Sequence, residues 1–220
     1  MTGTAPGDHF HDVYSVQFFR NHTEEPHFSQ TKLVGRAMAL VLMPRSVADV
    51  GCGVGAMLLG ISETMASLGR EVRCVGIESA IGLGRMREGG SLRIPEDWVV
   101  PFDLRDPGLP AGVLDRGRFD LAISAEVAEH LPPDCAGQHL DALCSLSDTV
   151  ALSAAFVGQG GDQHINERPA SYWAGLMGAR GYRLDVTATR SAIDMFKDET
   201  TRAWGYAKNL RLYRKREGGR

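Results

Sequence analysis

The sequence predicts an α/β protein built on a doubly wound sheet of seven strands with helices on both faces. Two observations carry this. Short apolar runs alternate with helix-period stretches along most of the chain, the pattern of parallel strands joined by helical crossovers. One such run, Ser46 to Val50, opens directly through Gly51, Cys52, Gly53, Val54 and Gly55 into a helical stretch. Alternating glycines at a strand-to-helix turn let backbone approach a ligand closely, because no Cβ intervenes. They also leave free N–H groups, and the partial positive charge of the helix N-terminus, facing whatever is bound.

The elements follow in order. Residues 1–8 are rich in Thr, Gly and Pro and are expected to be disordered. Helices over 10–20 and 29–43 come before the first strand and make up an N-terminal helical part, 1–44. Leu33, Ala37, Leu40 and Val41 give the second its apolar spacing, and Pro44 ends it. The remainder, 45–220, reads as strand 46–50, helix 55–67, and strands 71–77, 98–102 and 119–123. Helix 135–144, strand 149–154, helix 169–178 and strand 182–188 come next. Between 81 and 97, Gly82, Gly84, Gly89, Gly90 and Pro95 leave room only for a short helix. Pro169 suits an early helical position. A final strand is expected over 205–214, where Tyr206, Leu210 and Leu212 punctuate polar residues. A chain of 220 residues is enough for one well-buried domain, taken as 1–220.

Composition narrows the function. Hydrophobic content of 43% and charged content of 23% are those of an ordinary soluble globular chain. A formal charge of −3 offers no general attraction to nucleic acid or to a membrane surface. The N-terminus lacks a basic stretch followed by an apolar one, and no apolar run approaches the about 20 residues of a spanning helix. A cytoplasmic protein is expected, monomeric or homodimeric, with a small molecule as partner and neither nucleic acid nor membrane. Cys52, Cys74, Cys135 and Cys144 form neither a metal spacing nor a compact disulfide framework. Cys52 reads as a small residue wanted in the glycine turn.

Gly51, Gly53 and Ala56 fit a dinucleotide fingerprint, a weak match taken alone. More telling is Asp49, two residues before the first glycine, with three segments in order downstream. Glu78 ends the run EVRCVGIES, Asp103 ends WVVPFDL, and FDLAISAEVAEHL follows. Over roughly residues 30–215 this series resembles the class I S-adenosylmethionine (SAM)-dependent methyltransferases. The resemblance implies a Rossmann-like, mostly parallel seven-stranded sheet with a late antiparallel member, N-terminal helices serving as a lid, and SAM as cofactor. NAD would also use an acid at Glu78, but it gives Asp49 no role.

By the same resemblance, Asp49 and the Gly51–Gly55 loop, with Cys52 and Gly53, would hold the methionine part of SAM. Glu78 would accept both ribose hydroxyls. Asp103 would accept from the adenine amino group, with the Leu104 N–H offered to the ring. Ser124, Ala125 and Glu126 would line the pocket near the sulfonium.

On the acceptor side, DQHINERPASYW resembles the H-x-N…Y-W segment of small bacterial natural-product methyltransferases that act on sugars, phosphonates and related metabolites. His164 would orient the acceptor or serve as general base, with Asn166 and Arg168 aimed at the site from the same loop. Tyr14, on a lid helix, would donate to an anionic acceptor. Tyr172 and Trp173 are read as packing; Trp204 and Tyr206 are read as packing ahead of reaching the acceptor pocket. A small polar acceptor is implied, a phosphonate oxygen ahead of a sugar hydroxyl, since arginine forks suit an ionised P–O⁻.

Two other readings compete. Glu126, Glu129, His130 and His164 follow the E-x-x-E-H…H order of metal-assisted RNA 2′-O-methyltransferases. The acidic chain argues against RNA, and in metal-free relatives that His packs against the sheet, so no metal is expected. Nor is one expected at His9, His11, His22 and His27. A non-catalytic SAM-binding module would keep the same acids without turnover.

Overall fold

β1 (Ser46–Val50) is buried at every residue, as befits a strand covered on both faces. This computed structural model describes residues 14–197 and 204–218. The other strands are β2 (Arg73–Glu78), β3 (Val99–Pro101), β4 (Leu121–Ala125), β5 (Thr149–Ser153), β6 (Tyr182–Leu184) and β7 (Arg211–Lys215). They form one sheet of order β3-β2-β1-β4-β5-β7-β6. β7 runs antiparallel to both neighbours, and the remaining pairs are parallel. Strand order reverses between β1 and β4, so the crevice expected of an open α/β sheet lies past their carboxyl ends.

The strand period of two splits the core into two layers. Val47 faces Met38, Leu58, Ile61 and Met65, whereas Ala48 and Val50 face Leu140, Leu143, Trp173 and Met177 on the other side. The first layer belongs to helices α1 (Val16–Asn21), α2 (His27–Leu42) and α3 (Ala56–Ser67). α4 (Ala80–Gly89) and α5 (Ala111–Leu114) follow, and α6 (Ala136–Leu146) and α7 (Ala170–Ala179) cover the second layer. α2 and α3 touch backbone to backbone. A Cβ at Gly35 would fall 2.3 Å from the Met57 carbonyl oxygen, and one at Gly60 would fall 2.2 Å from that of Lys32.

Two expected strands are corrected. The strand read over 182–188 ends at Leu184, and α8 (Val186–Asp194) replaces its second half. The β-branched Val186, Thr187 and Thr189 favour a strand locally. Asp185 overrides them as an N-cap, its side chain accepting from the Ala188 N–H at 2.9 Å, and Ala188, Thr189 and Ala192 bury one helical face. The strand read over 205–214 is a short helix, α9 (Trp204–Asn209), followed by β7. Tyr206 and Leu210 are four apart, a helical spacing as much as a strand one, and the Leu210 N–H donates to the Tyr206 carbonyl at 2.8 Å.

Of the helix read over 10–20, the described part begins at Tyr14. Ser15 caps it by accepting from the Phe18 N–H at 3.1 Å, and the helix runs Val16–Asn21. The expectations for residues 1–8 and for His9 and His11 lie outside the described residues. Among the described residues, no helix is long and apolar enough to cross a membrane.

Candidate functional site

The turn after β1 has left-handed backbone at Gly51, Gly53 and Gly55, with φ of 82°, 51° and 84°, conformations that a Cβ disfavours. At Gly51 there is also no space, since a Cβ would come within 2.5 Å of Val127 Cγ2. The Gly51 and Cys52 N–H groups donate to the Ile77 carbonyl at 2.8 and 3.1 Å, tying the turn to β2. Gly55 begins α3 with no side-chain cap, leaving its first N–H groups to other acceptors. Gly55 packs on Ile94 and does not itself line the cavity. Cys52 is buried, and burial with the nearby Glu78 and Asp49 pushes its thiol up, away from nucleophilic character.

A cavity of about 1170 Å³ opens beside this turn. Three carboxylates lie along one rim, at or just beyond the ends of β1, β2 and β3. Asp49 is 3% exposed, and burial, followed by the nearby Glu78, pushes its carboxyl up to about 7. Glu78 accepts from the Gly53 N–H at 3.0 Å and from the Ser79 N–H at 2.8 Å. Burial raises its carboxyl, and those donors hold it back. Asp103 is gripped by Arg105, whose Nε lies 2.9 Å from Oδ1 and whose Nη2 lies 2.5 Å from Oδ2. Asp103 and Leu104 both line the cavity, and Arg105, which the sequence reading passed over, lines it with them.

Past β4 the chain turns sharply. Glu126 has left-handed backbone, φ 54°, a conformation held only when its surroundings enforce it. Here its carboxylate accepts from the Ser153 hydroxyl, from Gln159 Nε2 at 3.2 Å and from Asn209 Nδ2 at 3.2 Å. Ala125 and Glu126 line the cavity. Ser124 does not. It points to the opposite face of β4, fully buried, with Oγ 2.9 Å from His139 Nε2, because successive strand residues alternate faces.

The His164 segment is divided. His164 lines the cavity, with Nδ1 3.0 Å from Glu167 Oε1. Asn166 and Arg168 are turned away from it, contrary to expectation. The Asn166 and Arg168 N–H groups donate to the carbonyls of Glu129 and Ala155, which draws the segment back against the sheet. Asn166 is 2% exposed. It donates to the Ala128 carbonyl at 3.3 Å and accepts from Arg168 Nε at 2.9 Å, while the guanidinium lies 5.3 Å from the Tyr172 ring centroid. Tyr172 and Trp173 pack in the core, as expected.

Tyr14 lines the cavity, its ring edge-on to Phe18 and 6.1 Å from His130. Burial, with Glu78 and Glu129 nearby, raises its hydroxyl pKa, so it stays a neutral donor. Tyr206 packs against the core and lines the cavity as well. So do His22 and His27, their rings 4.5 Å apart.

His130 was visible in the sequence only as part of a competing motif. It lines the cavity with its ring 4.9 Å from that of His164. Burial, then the neighbouring His164, depresses it to about 4, keeping it neutral.

No protein-family model matches the chain, and no curated protein does. Solved structures do match it. Human N-acetylserotonin methyltransferase, in complex with SAM, aligns over 97% of this chain and 60% of its own at TM-score 0.61 and 15% identity. A sugar N-methyltransferase from Streptoalloteichus aligns over 99% of this chain and 96% of its own at TM-score 0.61 and 14% identity. The chain has a methyltransferase fold. Magnesium protoporphyrin IX methyltransferase from Synechocystis, with bound SAH, shares that fold over 98% of this chain and 90% of its own, at TM-score 0.55 and 16% identity. At such identities the methyltransferase fold is what is shared, and this chain spans only 60% of the human enzyme.

Proposed function

We propose that the protein is a SAM-dependent methyltransferase acting on an oxygen of a small polar acceptor. One observation carries this reading. A single cavity of about 1170 Å³ is lined by Asp49, Glu78, Asp103 and residues of the glycine turn together with Tyr14, His130 and His164. The residues present suit SAM. The uncapped start of α3 offers N–H groups, and the direction a Cβ would take from Gly53 is open space. The acids match an ammonium, a ribose diol and an adenine amino group. SAM supplies a sulfonium methyl for in-line displacement, in which alignment and proximity are large effects.

This chain's residues do the rest. Asp49 takes the ammonium. Glu78 keeps acceptor capacity for ribose beyond its two N–H bonds. Asp103 and Leu104 face adenine, with Arg105 fixing the Asp103 carboxylate. Tyr14 and His164 orient the acceptor, His164 being held by Glu167. The surrounding aromatic and histidine side chains exclude water.

A hydroxyl-bearing acceptor, such as a sugar, is better supported than a phosphonate. Arg168, the fork that favoured an anion, is engaged outside the cavity, and the arginine within it is committed to Asp103. Small natural-product methyltransferases are the kind of enzyme this describes.

Calorimetry with SAM, its demethylated product and NADH tests the donor, and a labelled-methyl panel of sugars, phosphonates and carboxylates tests the acceptor. The reading expects SAM binding and transfer to a hydroxyl. Tight NADH binding with none of SAM overturns it, and SAM binding with no transfer to any acceptor favours a binding module.

A further inference from the structure

The charges that line the cavity are unequal. Among the described residues they are the carboxylates Asp49, Glu78, Asp103, Glu126 and Asp162, against one arginine, Arg105, which is paired with Asp103. Two of the lining histidines add no positive charge, because burial depresses His22 and takes His130 down to about 4. In the proposed function SAM engages Asp49, Glu78 and Asp103, and it carries a single net positive charge. Glu126 and Asp162 are left over. Among the described residues neither forms an ion pair, and both stand close enough to His130 to act on it electrostatically.

Glu126 is the more closely built of the two. Its left-handed backbone follows the last residue of β4, and its carboxylate accepts from Ser153, Gln159 and Asn209. These donors come from the end of β5, the glycine-rich loop after it and α9, and every one is neutral. They fix the carboxylate without cancelling its charge, and a carboxylate has about four acceptor positions, so room remains for a further donor. The neighbouring Glu129 is fully buried, and burial, then Glu126, raises its carboxyl well above the usual range, which keeps it a neutral acid. Tyr14, Phe18 and Tyr206 line the same cavity, and aromatic faces attract a cation through the ring quadrupole. His164 supplies a different group. Its Nδ1 donates to Glu167 Oε1 at 3.0 Å, so in the neutral ring Nε2 is an acceptor for a hydroxyl.

We propose that the cavity selects an amine-bearing alcohol, of the amino sugar class, whose ammonium group binds Glu126 while the exposed Asp162 attracts it. The ammonium is a handle and is not methylated. Held as a cation, its nitrogen has no lone pair to offer, so the hydroxyl oxygen is the nucleophile. A neutral sugar leaves the Glu126 charge unmet, and an anionic acceptor is repelled by both carboxylates. That the hydroxyl is methylated rests on the methyltransferase reading, whereas the selection for a cation does not.

The test reads binding apart from turnover. Full-length chain, alone and with SAH, is titrated by calorimetry with glucosamine, galactosamine and 3-amino-3-deoxyglucose, each against the parent sugar that has a hydroxyl in place of the amine. Below the amines' own pKa, at least one amino sugar should bind about tenfold or more tightly than its parent, and the preference should vanish once pH is raised above that pKa. E126Q should bring the ratio below about twofold, and D162N should lower it by less. Thermal melts confirm that each variant is folded, and should E126Q not fold, the pH dependence in the parent protein and the D162N ratio still decide. With labelled SAM, the methyl should be found on oxygen. If no amine binds more tightly than its parent sugar, the proposal is overturned. A preference undiminished in folded E126Q overturns it too, as does methyl on nitrogen. Failure of SAM and SAH to bind, with the amine preference intact, would instead sink the methyltransferase reading and leave the cation selection standing.

Discussion

The Gly53 N–H donates to Glu78 Oε2 across 3.0 Å, which joins the turn after β1 to the last residue of β2. The glycine loop and the second acid are therefore one unit, and a change in either is felt by the other. In the methyltransferase reading, Glu78→Gln weakens SAM and SAH binding about ten- to hundredfold, the about 1.5–3 kcal/mol typical of hydrogen bonds to a charged group. Calorimetry measures this. Unchanged affinity would reduce Glu78 to a brace for the loop.

Asp49 gives the ligand-free protein a pH signature. Its carboxyl is pushed up to about 7 in the fold, against about 3.9 in an unfolded chain. Between those values the folded state keeps a proton that the unfolded state has released. The Asp49 contribution to stability therefore falls as pH rises from about 4 to about 7 and is constant above. Asp49→Asn removes this contribution. At about pH 8 the ligand-free variant should be more stable than the parent, by on the order of 2–4 kcal/mol, and the two should converge near pH 4. Denaturant titrations at both pH values decide it. In the same variant SAM binding should be lost, which calorimetry reads.

Gly60→Val should destabilise the protein by about 1–3 kcal/mol or more, seen as a lower denaturant midpoint. The cause is local, because the Lys32 carbonyl oxygen occupies the space a Cβ needs, and two helix backbones must separate. Gly175 has no neighbour within 4 Å of such a Cβ, so Gly175→Ala serves as the tolerated control.

Arg168→Ala should act on stability and not on the acceptor. The guanidinium braces Asn166 and stacks on Tyr172, so the expected cost is about 1 kcal/mol, with acceptor KM moving no more than about twofold. A large rise in KM with unchanged stability would put Arg168 back at the site.

Much of this was legible in the residues. The turn at Gly51–Gly55 and the acids at Asp49 and Glu78 belong to local strand-and-turn chemistry, and Asp49, Gly51, Cys52, Gly53 and Glu78 line one cavity. What escaped was set by distant partners. Nothing local marks Ser124 as facing His139, since a buried central strand is apolar on both faces and hides which side is which. The H-x-N segment reads as one functional loop, yet backbone bonds to Glu129 and Ala155 leave His164 in the cavity and fold Asn166 and Arg168 away. Arg105 is a local case, two residues from the Asp103 it grips. Asp185 is another, a local cap that the β-branched residues after it obscured.

β6 touches the rest of the sheet only through β7, which comes later in the chain. That edge therefore assembles in reverse of sequence order. Tyr182–Leu184 has no ladder to join until Arg211–Lys215 has docked on β5, so its pairing is non-local and its closure belongs to the slow, late part of folding. Until then β5 presents an open flank with bare N–H and C=O groups, and self-association during refolding should begin there.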